Sequence, residues 1–216
     1  MQGDRKRSGS LGLSTTIKAG WITMNTLEKC VLFIDYANLN CGFEQYGVRA
    51  DYADLIEYAG TGRFVVENHV FVPIDPRLPH GRDADIERLW QAGCLVHSKI
   101  GTQAGDTYRC DFDIEMTLEI MRIAEFVKPD IIVLGSGDKN FIPVVLELRR
   151  RGIRVEIAAF AGVNASRELI LKSSGFIDLG IYLDEWHEKE KIACSGSCVS
   201  EELTKDEEEN GENNED

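Results

Sequence analysis

Four aspartates fall at three points of one kind in this chain. Asp35 closes the apolar run Cys30-Val31-Leu32-Phe33-Ile34. Asp138 follows Ile131-Ile132-Val133-Leu134 and the turn Gly135-Ser136-Gly137. Asp111 and Asp113 stand just before an amphipathic stretch that opens at Ile114. If the apolar runs neighbour each other, the carboxylates converge. Clustered carboxylates repel and raise each other's pKa unless a cation binds among them. Hard oxygens with room for water suit Mg²⁺ or Mn²⁺. An ion so held can polarise a phosphodiester and activate water for in-line attack. Each aspartate also has a bland explanation. Asp113 could cap the helix at Ile114, worth about 1 kcal/mol; Asp138 or Asn140 could cap the next helix; Asp35 could be a turn residue. Taken singly these explanations weigh more, but for the set the metal explanation overtakes them.

The elements that must position these groups alternate. Strand one is Cys30 to Ile34, and a short helix runs from Tyr52 to Tyr58. Strand two, Phe64 to Ile74, is long enough to contain a turn near Glu67-Asn68. The loop Asp75 to Arg82 leads to a helix over Asp83 to Ala92, a strand over Cys94 to Ser98, and a polar loop over Gly101 to Arg109. The helix from Ile114 to Val127 is expected to pack on the sheet through Ile114, Leu118 and Met121, extended by Ile120, Ile123, Ala124 and Val127. Strand four follows Pro129, and a helix with Pro143 in or near its first turn runs to Leu148. A strand over Ile153 to Ala159, a helix over Ala165 to Leu171 and a last strand over Phe176 to Leu183 complete the rhythm. Strand–helix alternation predicts an α/β fold with a mainly parallel central sheet flanked by helices. In such sheets ligands bind at the carboxyl ends of the strands, where Asp35 and Asp138 stand.

The chain of 216 residues is 43% hydrophobic, enough for one substantial core. Its boundaries are predicted at 1–27 for a flexible N-terminal extension or a stretch upstream of a start at Met24, 28–186 for the domain, and 187–216 for a disordered acidic tail. Nine acids and one lysine lie in residues 199–216, so most of the formal charge of -13 sits there. The low pI therefore says little against an anionic substrate. Six scattered cysteines, no secretory pattern and no membrane-length apolar run point to reduced thiols in a cytoplasm. Cys194, Cys198 and His187 are one ligand short of a structural zinc site.

The stretches F-I-D-Y-A-N-L-N (Phe33 to Asn40), C-D-F-D-I-E (Cys110 to Glu115) and V-L-G-S-G-D-K-N-F-I-P (Val133 to Pro143) resemble, in order and spacing, the signatures of the NYN domain family, LabA-like branch, among PIN-like nucleases. The resemblance covers about Lys29 to Leu183. It implies a Rossmann-like PIN-type fold and a ribonuclease site dependent on Mg²⁺ or Mn²⁺. Asp35, Asp113 and Asp138 would hold the metal, Asn38 would orient a ligand or water, and Ser136 would support the cluster. One position departs from the family pattern: its second acid of Ser-Gly-Asp-x-Asp is Asn140 here, which removes a negative charge that Asp111 could restore.

RNA is the implied partner, with a homodimer left open and no membrane association expected. Lys139, Arg109, Arg77, Arg82 and Lys99 lie in or beside loops on the predicted site side and are the candidate RNA contacts, whereas Arg149 to Arg151 and Arg154 read as a solvated helix end. Tyr36, Tyr108 and Phe112 are candidates for base stacking. The leading function is a metal-dependent endoribonuclease; a non-cleaving RNA-binding or regulatory module is the alternative that Asn140 motivates. Haloacid-dehalogenase-type phosphotransfer fails, because the second acid it needs, two residues after Asp35, is Ala37.

Overall fold

The computed structural model describes residues 27–188. Both predicted flanking segments, including Cys194 and Cys198, fall almost wholly outside the described residues. Six strands form one sheet in the order β3-β2-β1-β6-β7-β8, with every neighbouring pair parallel. They are β1 (Lys29–Asp35), β2 (Phe64–Ile74), β3 (Leu95–Ile100), β6 (Ile131–Gly135), β7 (Arg154–Ala159) and β8 (Gly175–Asp178). From β1 the chain builds outward to β3 on one side, and from β6 to β8 on the other. The strand order therefore reverses between β1 and β6, the switch point at which doubly wound sheets open a crevice.

Alternation along the central strands explains why both faces carry helices. Cys30, Leu32, Ile34, Ile131 and Val133 enter one core with Leu39 and Phe43 of α1 (Tyr36–Gln45), Leu55 of α2 (Tyr52–Gly60) and Leu89 of α3 (Asp83–Gln91). Val31, Phe33, Ile132 and Leu134 enter the other core with α4 (Asp113–Phe126), α5 (Ile142–Arg150) and α6 (Arg167–Lys172). Strands covered on both faces read as unbroken apolar runs, as β1 and β6 do. His69 of β2, also buried, is satisfied by Glu67 Oε2 and His97 Nε2, each at 3.0 Å.

Several expectations need correction. Helix α1 directly follows Asp35, although its Asn- and Gly-containing sequence has weak helix propensity. The Asp35 cap and the burial of Tyr36, Leu39 and Phe43 along one face override it. No turn interrupts β2; the register slips by one residue opposite Cys30/Val31, which is a bulge. The loop after β3 contains an antiparallel hairpin, β4 (Thr102–Ala104) with β5 (Thr107–Arg109). In α4 the buried residues are Met116, Ile120, Ile123 and Ala124, while Ile114 and Leu118 are exposed. Met121 and Val127 are partly buried against the same core, so of the expected face only Ile114 and Leu118 turn outward, and Met116 takes their place. The last strand ends at Asp178, whose Oδ1 accepts from Gly180 N at 3.0 Å and turns the chain. Residues 179–188 are helical (α7), burying Leu179, Tyr182 and Leu183 at spacings of three and four.

Candidate active site

The end of β1 and the end of β6 bring the acidic cluster together. Asp35 is both the last residue of β1 and the N-cap of α1, and its Oδ1 accepts from Asn38 N at 3.1 Å. The fully buried Ser136 donates its hydroxyl to Asp35 Oδ2 at 3.4 Å and accepts from Asp138 N at 3.3 Å. Asp138 caps the 3-10 turn Lys139–Phe141 that leads into α5, accepting from Asn140 N at 2.9 Å. Asn140 then joins the third acid: its Nδ2 donates to Asp113 Oδ2 at 2.8 Å and to Asp138 Oδ2 at 3.4 Å.

Asp113 is not the cap of α4. It is the first helical residue, and Asp111 Oδ1 takes its N–H at 2.8 Å. The Asp113 carboxylate is thereby left to face Asn140, while Asp111 serves the turn.

Asn38 holds the site's backbone. Its Oδ1 accepts from Gly137 N and from Asn164 Nδ2, both at 3.0 Å, and its carbonyl accepts from Asn164 Nδ2 at 2.8 Å. Asn164, in the turn after β7, also accepts from Phe160 N at 2.9 Å. A Cβ at Gly137 would lie 1.9 Å from the Asn164 carbonyl oxygen, so only glycine permits this close approach. Sequence reasoning missed Asn164. Its signal was its place just beyond β7, at the same carboxyl edge as Asp35 and Asp138.

Burial and neighbouring acids set the electrostatics of the cluster. Burial pushes the Asp35 carboxyl up to about 6; the Asn38 amide and the Ser136 hydroxyl oppose this, and the charges of Asp113 and Asp138 add to it. Burial also raises Asp113, against the Asn140 hydrogen bond, with Asp111 and Asp138 pushing the same way as burial.

The candidate RNA contacts divide. Lys139 and Arg109 are exposed, and neither makes an ion pair among the described residues. Lys99 pairs with Glu115 at 2.5 Å and lies over the Phe112 ring. Arg77 pairs with Asp75 at 2.5 Å, and Arg82 with Asp85 at 3.2 Å.

Among the described residues, no three His, Cys, Asp or Glu side chains stand close enough to hold an ion as placed. The donor set nevertheless fits a hard divalent cation: it is all oxygen, without thiolate or imidazole, and burial, with the neighbouring acids adding to it, raises Asp35 and Asp113. The Asn140 amide, partly positive at its N–H, stands where a cation between Asp113 and Asp138 would be attracted.

A six-stranded parallel sheet with acids at its switch point, together with the motif order, defines the class as a PIN-like α/β domain. The chain belongs to the NYN domain family, whose model matches residues 29–183. NYN domains belong to the PIN-like nuclease superfamily, whose nucleases are generally dependent on divalent metal. No curated protein matches the chain. Among solved structures, a protein of unknown function from Vibrio parahaemolyticus is similar at TM-score 0.61 and 24% identity, covering 71% of this chain and 94% of that one, a likeness of fold. MurG from Acinetobacter baumannii aligns at TM-score 0.39 and 17% identity over 68% of this chain and 40% of its own, too distant to carry an argument. No helix among the described residues is long and apolar enough to cross a membrane.

Proposed function

We propose that the protein is a Mg²⁺- or Mn²⁺-dependent endoribonuclease of the LabA-like branch, with Asp35, Asp113 and Asp138 as the metal-holding acids. The observation that carries this reading is the convergence of three carboxylates from separate elements, two of which raise the proton affinity of the third. A bound divalent ion would supply Lewis acidity toward the phosphodiester and an activated water. The chain's own residues do the rest. Ser136 and the Asn38 amide hold the Asp35 carboxylate in place, and the Asn38–Gly137–Asn164 contacts fix the turn that presents Asp138. Lys139, exposed beside Asp138 at the start of a turn, meets a phosphate of the RNA strand, with Arg109 of the hairpin as a second contact.

A specific observation favours a second reading, a non-cleaving RNA-binding module. The Asn140 amide already donates to Asp113 and Asp138, so the acids have a neutral partner in place of a fourth carboxylate. The two readings separate in one experiment. Labelled RNA is incubated with purified protein in Mn²⁺ or Mg²⁺, beside Asp138→Asn. Cutting that disappears in the variant supports the nuclease; RNA retention without cutting supports the module.

A further inference from the structure

Tyr36, the residue after Asp35, also walls a cavity of about 920 Å³ lined by α1, α2, α3 and Trp186 of α7. The size is that of a small-molecule site. Three guanidinium groups converge there on one carboxylate. Asp85 Oδ1 accepts from Arg49 Nη2 at 3.3 Å and from Arg88 Nη2; Oδ2 accepts from Arg82 Nη1 at 3.2 Å and from the Tyr36 hydroxyl at 2.7 Å. Asp85 is mostly buried and fully engaged. Each guanidinium carries five N–H donors, so most of the donors gathered at this end are unspent on Asp85. Two further acids line the cavity, Glu44 and Asp51. Asp51 is committed to capping α2, with Ala53 N at 3.0 Å and Asp54 N at 3.2 Å, and neither acid pairs with these arginines. The cationic end thus adjoins Tyr36 and, through it, the carboxylate site. Leu89, Phe43 and Trp186 supply apolar and π surface in the same cavity.

We propose that this cavity binds a nucleoside phosphate, with the phosphate among Arg49, Arg82 and Arg88 and the base toward Trp186. The ligand is either one nucleotide of the RNA strand, which rests on the nuclease reading, or a free nucleotide.

Calorimetric titration of the full chain in EDTA tests this without cleavage, so that failure of the nuclease reading leaves the result interpretable. The probes are 5′-AMP and 5′-UMP, their nucleosides, and a single-stranded RNA hexamer. The proteins are wild type, Arg49→Gln/Arg88→Gln, and Asp85→Asn. The nucleotides are expected to bind at least about tenfold more tightly than the nucleosides, as charge-assisted phosphate contacts require. The double glutamine variant loses that preference, whereas Asp85→Asn, which removes a competing anion, tightens nucleotide binding. Loss of hexamer affinity in the double variant identifies a strand nucleotide; an unaltered hexamer identifies a free nucleotide. The proposal is overturned if nucleotides bind no better than nucleosides, if the double variant keeps the preference, or if Asp85→Asn weakens binding as the glutamines do. That last result would make the arginines a structural ion cluster.

Discussion

Two aspartates flank Tyr36 and have opposite surroundings. Asp85 accepts the Tyr36 hydroxyl and three arginine contacts; burial works to raise its carboxyl, but those hydrogen bonds and the Arg88 charge hold it below the ordinary value. Asp35, one residue before Tyr36, has only an amide and a hydroxyl to offset its burial, and two further acids face it, so its carboxyl rises to about 6. A carboxylate surrounded by cations stabilises the fold it belongs to. One buried among other acids destabilises it until a cation arrives, and a fold retains such an arrangement where that cation does work. The contrast fits the proposed roles, with Asp85 in the scaffold and recess and Asp35 in the chemistry.

The largest effect that would sharpen the contrast is on cleavage. Asp138→Asn is expected to lower metal-dependent RNA cleavage by about a hundredfold or more, the scale of losing a group that stabilises transition-state charge. Gel-resolved initial rates measure it, and retained activity would break the assignment of the acidic cluster.

Stability should move in opposite directions at the two aspartates. The Asp35 carboxyl binds its proton more tightly folded (about 6) than unfolded (the ordinary 3.8). Between those values the folded state holds more protons, so this group's contribution favours folding at pH 4 and is lost as pH rises through 6. The difference amounts to about 3 kcal/mol at pH 7.5. Asp35→Asn keeps a good N-cap and removes the charge, so in EDTA at pH 7.5 it should raise the urea midpoint, with the gain shrinking toward pH 4. Asp85→Asn should lower the unfolding free energy by about 1 kcal/mol, the scale of one net hydrogen bond, and the midpoint falls with it. If Asp35→Asn destabilises as Asp85→Asn does, the two sites are alike and the contrast fails.

A smaller effect concerns Asn140. Asn140→Asp adds a fourth acid beside Asp113 and Asp138, and is expected to tighten Mn²⁺ binding severalfold while lowering metal-free stability. Thermal shift against Mn²⁺ concentration reads both. Unchanged Mn²⁺ dependence would remove Asn140 from the ion's surroundings.

Much of this was legible in the chain because the information is local. The unbroken apolar runs of β1 and β6 and the acids after them mark buried parallel strands and their carboxyl edge, and the ends of β1 and β6 do meet at the switch point. What was illegible depends on contacts distant in sequence. Of the face expected for α4, Ile120, Ile123 and Ala124 are buried and Met121 and Val127 pack against the core, but Ile114 and Leu118 face out and Met116 faces in, a rotation that only packing against the sheet decides. Helix α7 continues an apolar segment that begins as β8, and the switch is made by Asp178 turning the chain at Gly180. Asn164 lies 126 residues from the Asn38 it holds. The cavity at Asp85 is assembled from four helices, α1, α2, α3 and α7, so no single stretch announces it.

We propose that the acids at the switch point hold a cation needed for RNA cleavage. The most direct test is cleavage of a mixed set of labelled RNAs by purified protein in Mn²⁺, Mg²⁺ or EDTA, beside Asp35→Asn shown to be folded. Cutting is expected in at least one metal, with none in EDTA and none by the variant. Equal cutting in EDTA, or by Asp35→Asn, would contradict the proposal, and so would RNA bound without cutting in either metal.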